Sequence, residues 1–401
     1  MKYVVILSDG MADYPIESLG NKTPLEVANT PCMDYLASKS EVGVFKTVPD
    51  GMKPGSDVAN LTVMGFDTQK AYTGRSPLEA ASIGIELEDT DLSARVNLVT
   101  LSDEQEFSER KLLDYSAGEI STEDAKILID YLKKHLDTDK YTFYSGVSYR
   151  HCLVVKNGKE VGNLAPAHDI IGRRITNYLP HPVKGKHYLE LMERASSLLR
   201  LHPINVERRQ AGIAPANGIW IWGEGTKPNL EDFTKKTGLK GGVISAVDLL
   251  RGIALVSNMK VISVQGATGN YDTNFDGKAQ ACLDELKTLD YVFVHIEAPD
   301  ECGHHGDVQK KIYSIEQVDG VLKKVYDGLS ASGEDFSILV CPDHPTPICL
   351  RTHVSDPVPY FIYRSNAVTD SGVKEFNEKT ALATGNYTEK GYTLLDKFIK
   401  G

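Results

Sequence analysis

The chain has 401 residues, 41% of them hydrophobic and 25% charged, enough apolar material for two or three ordinary cores. With 44 Lys and Arg against 55 Asp and Glu, its formal charge of −11 excludes a general nucleic-acid or anionic-membrane binder, and any anionic substrate would need local Arg or Lys. The six cysteines (Cys32, Cys152, Cys282, Cys302, Cys341, Cys349) form no CxxC pair, as expected of free thiols in a reducing compartment.

In chain order, the first element is "YVVILSDG", an apolar run of five residues that reads as a buried strand ending at Ser8 and Asp9. It is too short for a secretory h-region, and no other run approaches membrane-spanning length, so a cytoplasmic protein is expected. A helix pattern, "TPCMDYLASKS", follows. Then "MKPGSDVANL" places Ser56 after a Pro-Gly turn, at the start of a further helix. Helix N-terminal amides and dipole favour a phosphate there, and a nearby metal would depress the hydroxyl pKa. The blander account of Ser56 or Asp57 is an N-cap.

From about residue 92 to about 182 the pattern changes. A hairpin-like "ARVNLVTLSDEQEFSERKLLDY", a helix "STEDAKILIDYLKKHL" and the pair "YTFYSG" and "YRHCLVVKNG" predict an inserted α+β domain. The flanking segments, 1–91 and 183–401, would form one discontinuous α/β domain, a sheet flanked by helices such as "GKAQACLDELKTLD" and "QKKIYSIEQVDGVLKKVYDGLS". Two more strands in it, "YVFVHIEAPD" and "FSILVCPDH", stop at Asp300 and at Asp343 with His344. Ligands of such sheets bind at strand C-termini, where three carboxylates are thus delivered.

In "APDECGHHGD", Asp300 and His304 are four residues apart, on one face of a helix if one begins there, and His305 is turned away. Glu301 and Asp307 read as surface or supporting groups, Cys302 as packing, and Gly303 as room for close approach. In "CPDHPTPICLRTH" the prolines prevent a helix, and the loop could swing His353 back over Asp343 and His344. Mixed imidazole and carboxylate donors suit zinc or manganese.

These residues resemble the alkaline phosphatase superfamily, and more closely its archaeal-type cofactor-independent phosphoglycerate mutases. The matching words run almost end to end: "SDGMADYP", "KTPLEVANTPCMDYLA", "KPGSDVANL", "YTGRSPLEAASIGIEL", "GLKGGVISAVDLLRGIA", "VQGATGNYDTNFDGKA", "FVHIEAPDECGHHGD" and "PDHPTPICLRTHVSDPVP". The resemblance implies an alkaline-phosphatase-like mixed sheet with an inserted lid domain, and two divalent ions, Mn²⁺ or Zn²⁺. One ion would sit on Asp300, His304 and His353, the other on Asp9, Ser56, Asp343 and His344. Ser56 would accept the phosphoryl group during interconversion of 2- and 3-phosphoglycerate, and the lid would exclude water. Candidate holders of the small phosphorylated hydroxy acid are Arg150, His151, His168, Asp169, Arg173 and Arg174 in the insert, with Lys240 added by resemblance. Lys278 reads as a helix-surface lysine. A monomer is the default expectation.

Two positions depart from the family pattern. An arginine-bearing segment common in archaeal members corresponds here to "LDYSAGEIST", where Glu119 reverses the sign. Asn60 stands where a histidine is common. Both match a bacterial subgroup proposed as homoserine kinase, which makes phosphoryl transfer to a small hydroxy amino acid the alternative. The chain has neither a P-loop nor a kinase glycine-rich loop.

Overall fold

The apolar runs that stop at acidic residues are strands, and their pairing order decides what those stops can reach. The computed structural model describes residues 1–162 and 164–401. Along the chain come β1 (Lys2–Ser8) and β2 (Glu41–Phe45), then β3 (Leu92–Leu101), β4 (Leu112–Asp114), β5 (Tyr141–Tyr144), β6 (Arg150–Val155) and β7 (Gly218–Thr226). The chain then returns through β8 (Gly241–Ile244), β9 (Lys260–Ile262), β10 (Tyr291–Ile296), β11 (Phe336–Cys341), β12 (Val358–Arg364) and β13 (Tyr387–Thr388). The described residues divide into two units, Met1–Tyr72 with Asn229–Gly401, and Thr73–Pro228.

The first unit is built on one sheet in the order β13-β2-β12-β11-β1-β10-β8-β9. β1 pairs in parallel with β10 on one side and β11 on the other, in registers that set Ser8 beside Ile296 and Leu7 beside Cys341. β12 runs antiparallel to β11, so the sheet is mixed. β10 and β11 are buried along their whole length, as befits strands covered on both faces, hence their unbroken apolar runs. Helices Pro31–Ser38, Phe275–Glu285 and Val308–Ser332 cover one of those faces, where Met33, Leu36, Cys282, Ile315 and Leu322 cluster with Val4, Ile6, Val292, Val294, Ile338 and Val340. This is the mixed sheet flanked by helices that the sequence implies. Because β11, β1 and β10 are parallel neighbours, their C-terminal ends emerge side by side.

The second unit is antiparallel. Its strands run β4-β3-β6-β5, with β7 also paired to β3. The expected β3–β4 and β5–β6 pairs are present, and the helix Thr122–Leu136 lies between them in sequence. Its boundaries differ from 92 and 182, because β7 pairs with β3 from Leu92 opposite Thr226 to Val99 opposite Gly218. Lys186–Arg200 buries Leu191, Met192 and Leu199 in the same core, and on the N-terminal side Ala80 clusters with Cys152 and Val154. A return strand so distant in sequence leaves no local signal.

Candidate active site

Three acidic stops meet at the C-terminal edge of the first unit's sheet. Asp9 follows β1 directly, Asp343 and His344 follow β11, and Asp300 lies in the helix Ala298–His305 that opens after β10. Gly10, at φ +62°, makes the approach possible, since a Cβ there would stand 2.6 Å from Asp300 Oδ1. Gly303 does the same for the facing loop: a Cβ would fall 2.6 Å from the Thr346 carbonyl oxygen. Cys302 is buried and Asp307 caps the next helix by accepting from the Lys310 amide, as supporting roles require.

The donors are spaced as ligands of shared cations would be. A tetrahedral ion with bonds of about 2.1 Å separates its donors by roughly 3.4 Å. His304 Nε2 lies 3.2 Å from Asp300 Oδ2 and 2.9 Å from His353 Nε2, and His353 Nε2 lies 3.4 Å from Asp300 Oδ1. Beside them, His344 Nε2 is 3.3 Å from Asp343 Oδ2, 3.7 Å from Asp9 Oδ1 and 3.2 Å from Ser56 Oγ. Asp9 Oδ1 is buried and has no hydrogen-bond partner. Asp9, Asp343 and His344, and likewise Asp300, His344 and His353, each offer ligand atoms within 4.8 Å of one another. The residues present therefore fit divalent cations.

Electrostatics point the same way. Burial, with the charges of Asp343 and Asp300, pushes the Asp9 carboxyl well above its usual range. Burial likewise raises Asp343 to about 6. Burial would raise Asp300 too, but hydrogen bonds from His304 and His353 hold it well below the ordinary value. His304 is the counterpart: burial lowers it, yet the Asp300 carboxylate overrides this and carries it to about 9. His344 is kept neutral by burial beside His353. Packed carboxylates of this kind call for positive charge.

Ser56 opens the helix Ser56–Val63, and Gly55, without a side chain, occupies the N-cap position. Its hydroxyl is thus spent on no cap and faces His344 instead. Asn60, one turn on, donates to Asp343 Oδ2 at 2.8 Å and to the Ser56 carbonyl at 2.9 Å.

The expected substrate-binding residues fare unevenly. Lys240 is displaced from the site. It directly precedes β8, whose Gly241 is level with Tyr291 at the start of β10, and it accepts the Asp290 and Tyr291 amides on its carbonyl. The β10 terminus lies five residues further on, about 17 Å by strand rise. Parallel pairing of β8 with β10 thus puts Lys240 at the wrong end of the sheet.

In the second unit, Arg150 and His151 are successive residues of β6 and so face opposite sides of the sheet. His151 is buried and held down at about 3 by that burial and by Arg95; its Nδ1 accepts the Gly146 amide. Arg150 pairs opposite Asn97 and shares that residue's face with Arg95. Arg95 and Arg75 both donate to Glu79 Oε1 at 2.8 Å, Arg95 lies over the Trp222 ring, and Arg150 keeps a buried Nε with no hydrogen-bond partner. His168 meets this group edge-on at Trp222, with Asp169 3.5 Å away. Arg173 and Arg174 are engaged elsewhere, with the Tyr178 hydroxyl and the Glu109 carboxylate.

Four residues near the carboxylates escape sequence reasoning. His295, fully buried in β10, hydrogen-bonds Asp9 Oδ2 through Nε2 at 2.8 Å. Lys278 is no surface lysine: it is wholly buried, its Nζ donates to the His295 carbonyl at 3.0 Å, and burial lowers it to about 8. Thr346 donates through Oγ1 to Asp300 Oδ1 and lies 3.3 Å from His344 Nδ1. Lys311 pairs with Asp13 Oδ2 at 2.7 Å and donates to the Thr346 carbonyl at 2.8 Å.

Fold and donor set together define a class: an α/β protein with candidate divalent-cation ligands gathered around a serine at the C-terminal edge of a mixed sheet. The family model described as 2,3-bisphosphoglycerate-independent phosphoglycerate mutase matches residues 37–205. A protein of that name from Methanosarcina acetivorans is 48% identical over 403 residues, covering 100% of both chains. One from Geobacter sulfurreducens, named as a probable such mutase, is 44% identical over 400 residues with the same coverage. Among solved structures, a Pyrococcus horikoshii protein matches with TM-score 0.83 and 29% identity over 100% of this chain and 96% of that one. The cofactor-independent phosphoglycerate mutase of Thermoplasma acidophilum matches with TM-score 0.65 and 27% identity, over 100% and 99%. The chain belongs to the 2,3-bisphosphoglycerate-independent phosphoglycerate mutase family.

Proposed function

We propose that this protein interconverts 2-phosphoglycerate and 3-phosphoglycerate through a phosphoserine at Ser56, as a cytoplasmic enzyme of glycolysis. Two divalent cations, Mn²⁺ or Zn²⁺, would be held by Asp300, His304 and His353, and by Asp9, Ser56, Asp343 and His344. The observation that carries this reading is the Ser56 hydroxyl, at the first residue of its helix and 3.2 Å from His344 Nε2. When bound, the cations supply Lewis-acid charge that lowers the hydroxyl pKa and neutralises phosphoryl oxygens. The remaining work falls to the chain. Ser56 Oγ forms a bond to phosphorus as the bond to the glycerate oxygen breaks, and the proton lost by serine is regained by glycerate. The helix N-terminus favours the phosphate so held. Phosphorus then returns to the other glycerate hydroxyl, and Ser56 recovers its proton.

Arg150, sharing a sheet face with Arg95, is the best candidate to hold an anionic group of the substrate, because a buried guanidinium Nε without an acceptor suits a carboxylate or phosphate. The second unit is read as the lid that keeps water from the phosphoserine, which would otherwise hydrolyse. A competing acceptor, homoserine, draws on one feature: the segment "LDYSAGEIST" carries no arginine, and Glu119 places an acid there. One experiment separates them. Purified Mn²⁺-loaded protein is assayed side by side with 3-phosphoglycerate and with homoserine plus ATP, and turnover of the first alone is expected. Consumption of the second alone overturns the reading. Ser56→Ala should lower mutase turnover by at least about a thousandfold while cations still bind; surviving activity in that variant removes the covalent route.

A further inference from the structure

We propose that His295 is a positioning residue for the cation held by Asp9, fixing that carboxylate as a one-oxygen ligand through a relay that starts at a backbone amide. The inference rests on the two-cation reading above and concerns a residue that reading leaves idle.

The donor and acceptor accounting is closed. The Val247 amide donates to Ser245 Oγ at 3.0 Å, and the Ser245 hydroxyl is placed to donate its proton to His295 Nδ1, 3.1 Å away. With Nδ1 accepting, the ring carries its proton on Nε2, and an ionised carboxylate can only accept, so the 2.8 Å contact runs from His295 Nε2 to Asp9 Oδ2. His295 is held against rotation by its place in β10, opposite Leu7 of β1, and its carbonyl receives Lys278 Nζ at 3.0 Å. Asp9 Oδ2 is thereby occupied. Asp9 Oδ1 is the atom left over, buried, without a hydrogen-bond partner and 3.7 Å from His344 Nε2. An imidazole that fixes the orientation of a ligand in this way is the kind of support whose loss costs about ten- to a hundredfold in metal affinity. The other cation position has its own support, Thr346 on Asp300 and the Arg351 carbonyl on His304 Nδ1.

The test is a calorimetric titration of chelator-stripped full-length protein with MnCl₂, on wild type, His295→Leu, His295→Gln and Ser245→Ala. Wild type should bind two equivalents; fewer than two sinks the two-cation reading itself, independently of His295. Given two, His295→Leu should weaken one binding event about ten- to a hundredfold and leave the other within about twofold. His295→Gln, whose amide can donate to the same oxygen, should restore most of the loss. Ser245→Ala, which frees the tautomer, should weaken the same event by a smaller factor. The proposal is overturned if both events weaken together, if neither changes, or if Gln behaves as Leu does. Should His295→Leu fail to fold, Ser245→Ala and His295→Gln decide: an unchanged Ser245→Ala titration overturns the relay.

Discussion

At the scale of single residues, a buried ion pair ties together the loops that carry the site. Lys311 and Asp13 are both fully buried and form an ion pair at 2.7 Å. Lys311 also donates to the Thr346 carbonyl, and Asp13 accepts the Ile348 amide, so the pair ties the loop after β1 to the loop after β11. Two desolvated charges are costly, and their attraction offsets that cost only while both remain. Asp13→Asn, which leaves the Lys311 charge uncompensated, should lower unfolding free energy by about 3–5 kcal/mol in urea titrations. A Lys311→Met, Asp13→Leu double variant should recover much of that stability and yet bind Mn²⁺ more weakly than wild type, because the Lys311 bond to the Thr346 carbonyl that steadies Thr346 against Asp300 is then gone. Equal Mn²⁺ affinity in the double variant would show that the pair serves stability alone.

At the scale of elements, close approach governs. The turn after β1 meets the helix Ala298–His305 only because Gly10 lacks a Cβ. Gly10→Ala should cost about 1–3 kcal/mol for its left-handed backbone and, in addition, drive Asp300 back and weaken Mn²⁺ binding. Gly20 is the control, with a similar φ of +69° and open space around it. Gly20→Ala should show the conformational penalty and normal Mn²⁺ titration; loss of binding in both variants would refute the clash. The same scale explains what sequence could reveal. Asp9, Asp300 and Asp343 are legible because parallel strands buried on both faces read as apolar runs with abrupt ends. His295 is not, since such a strand has no polar face and a histidine within "YVFVHIE" looks like packing. Its partner Asp9 directly follows β1, 286 residues away in sequence, and only the pairing of Leu7 with His295 brings the two together. Lys240 and Lys278 fail for the same reason: neither the direction of β8 relative to β10 nor the buried side of the Phe275–Glu285 helix is a local property. Asn60, by contrast, is legible as a departure from the family pattern, and its amide holds Asp343.

At the scale of the whole molecule, stability, protons and cations are linked. Asp343 titrates near 6 in the fold against an ordinary value of 3.8, chiefly through burial. The folded state thus binds this proton more tightly than the unfolded chain, and the stability it lends is full below about 3.8 and is lost as pH rises to about 6. Asp9, also raised, adds to the same trend. Cations demand the ionised carboxylates and neutral imidazoles, so their affinity must run the other way. His304, carried to about 9 by Asp300, extends that rise beyond neutrality. Two outcomes are expected from thermal melts at pH 5, 6, 7 and 8. The midpoint gain from saturating Mn²⁺ should grow across the series, since a ligand of the native state stabilises in proportion to the logarithm of its concentration over Kd. Titration calorimetry in buffers of different ionisation enthalpy should show proton release on binding, with both Asp343 and His304 contributing at pH 5 and, of these two, only His304 at pH 8. His304→Asn should remove the His304 contribution at both pH values, leaving at pH 5 the proton that Asp343 releases. A gain in melting midpoint that is independent of pH would mean that the cations bind away from these carboxylates.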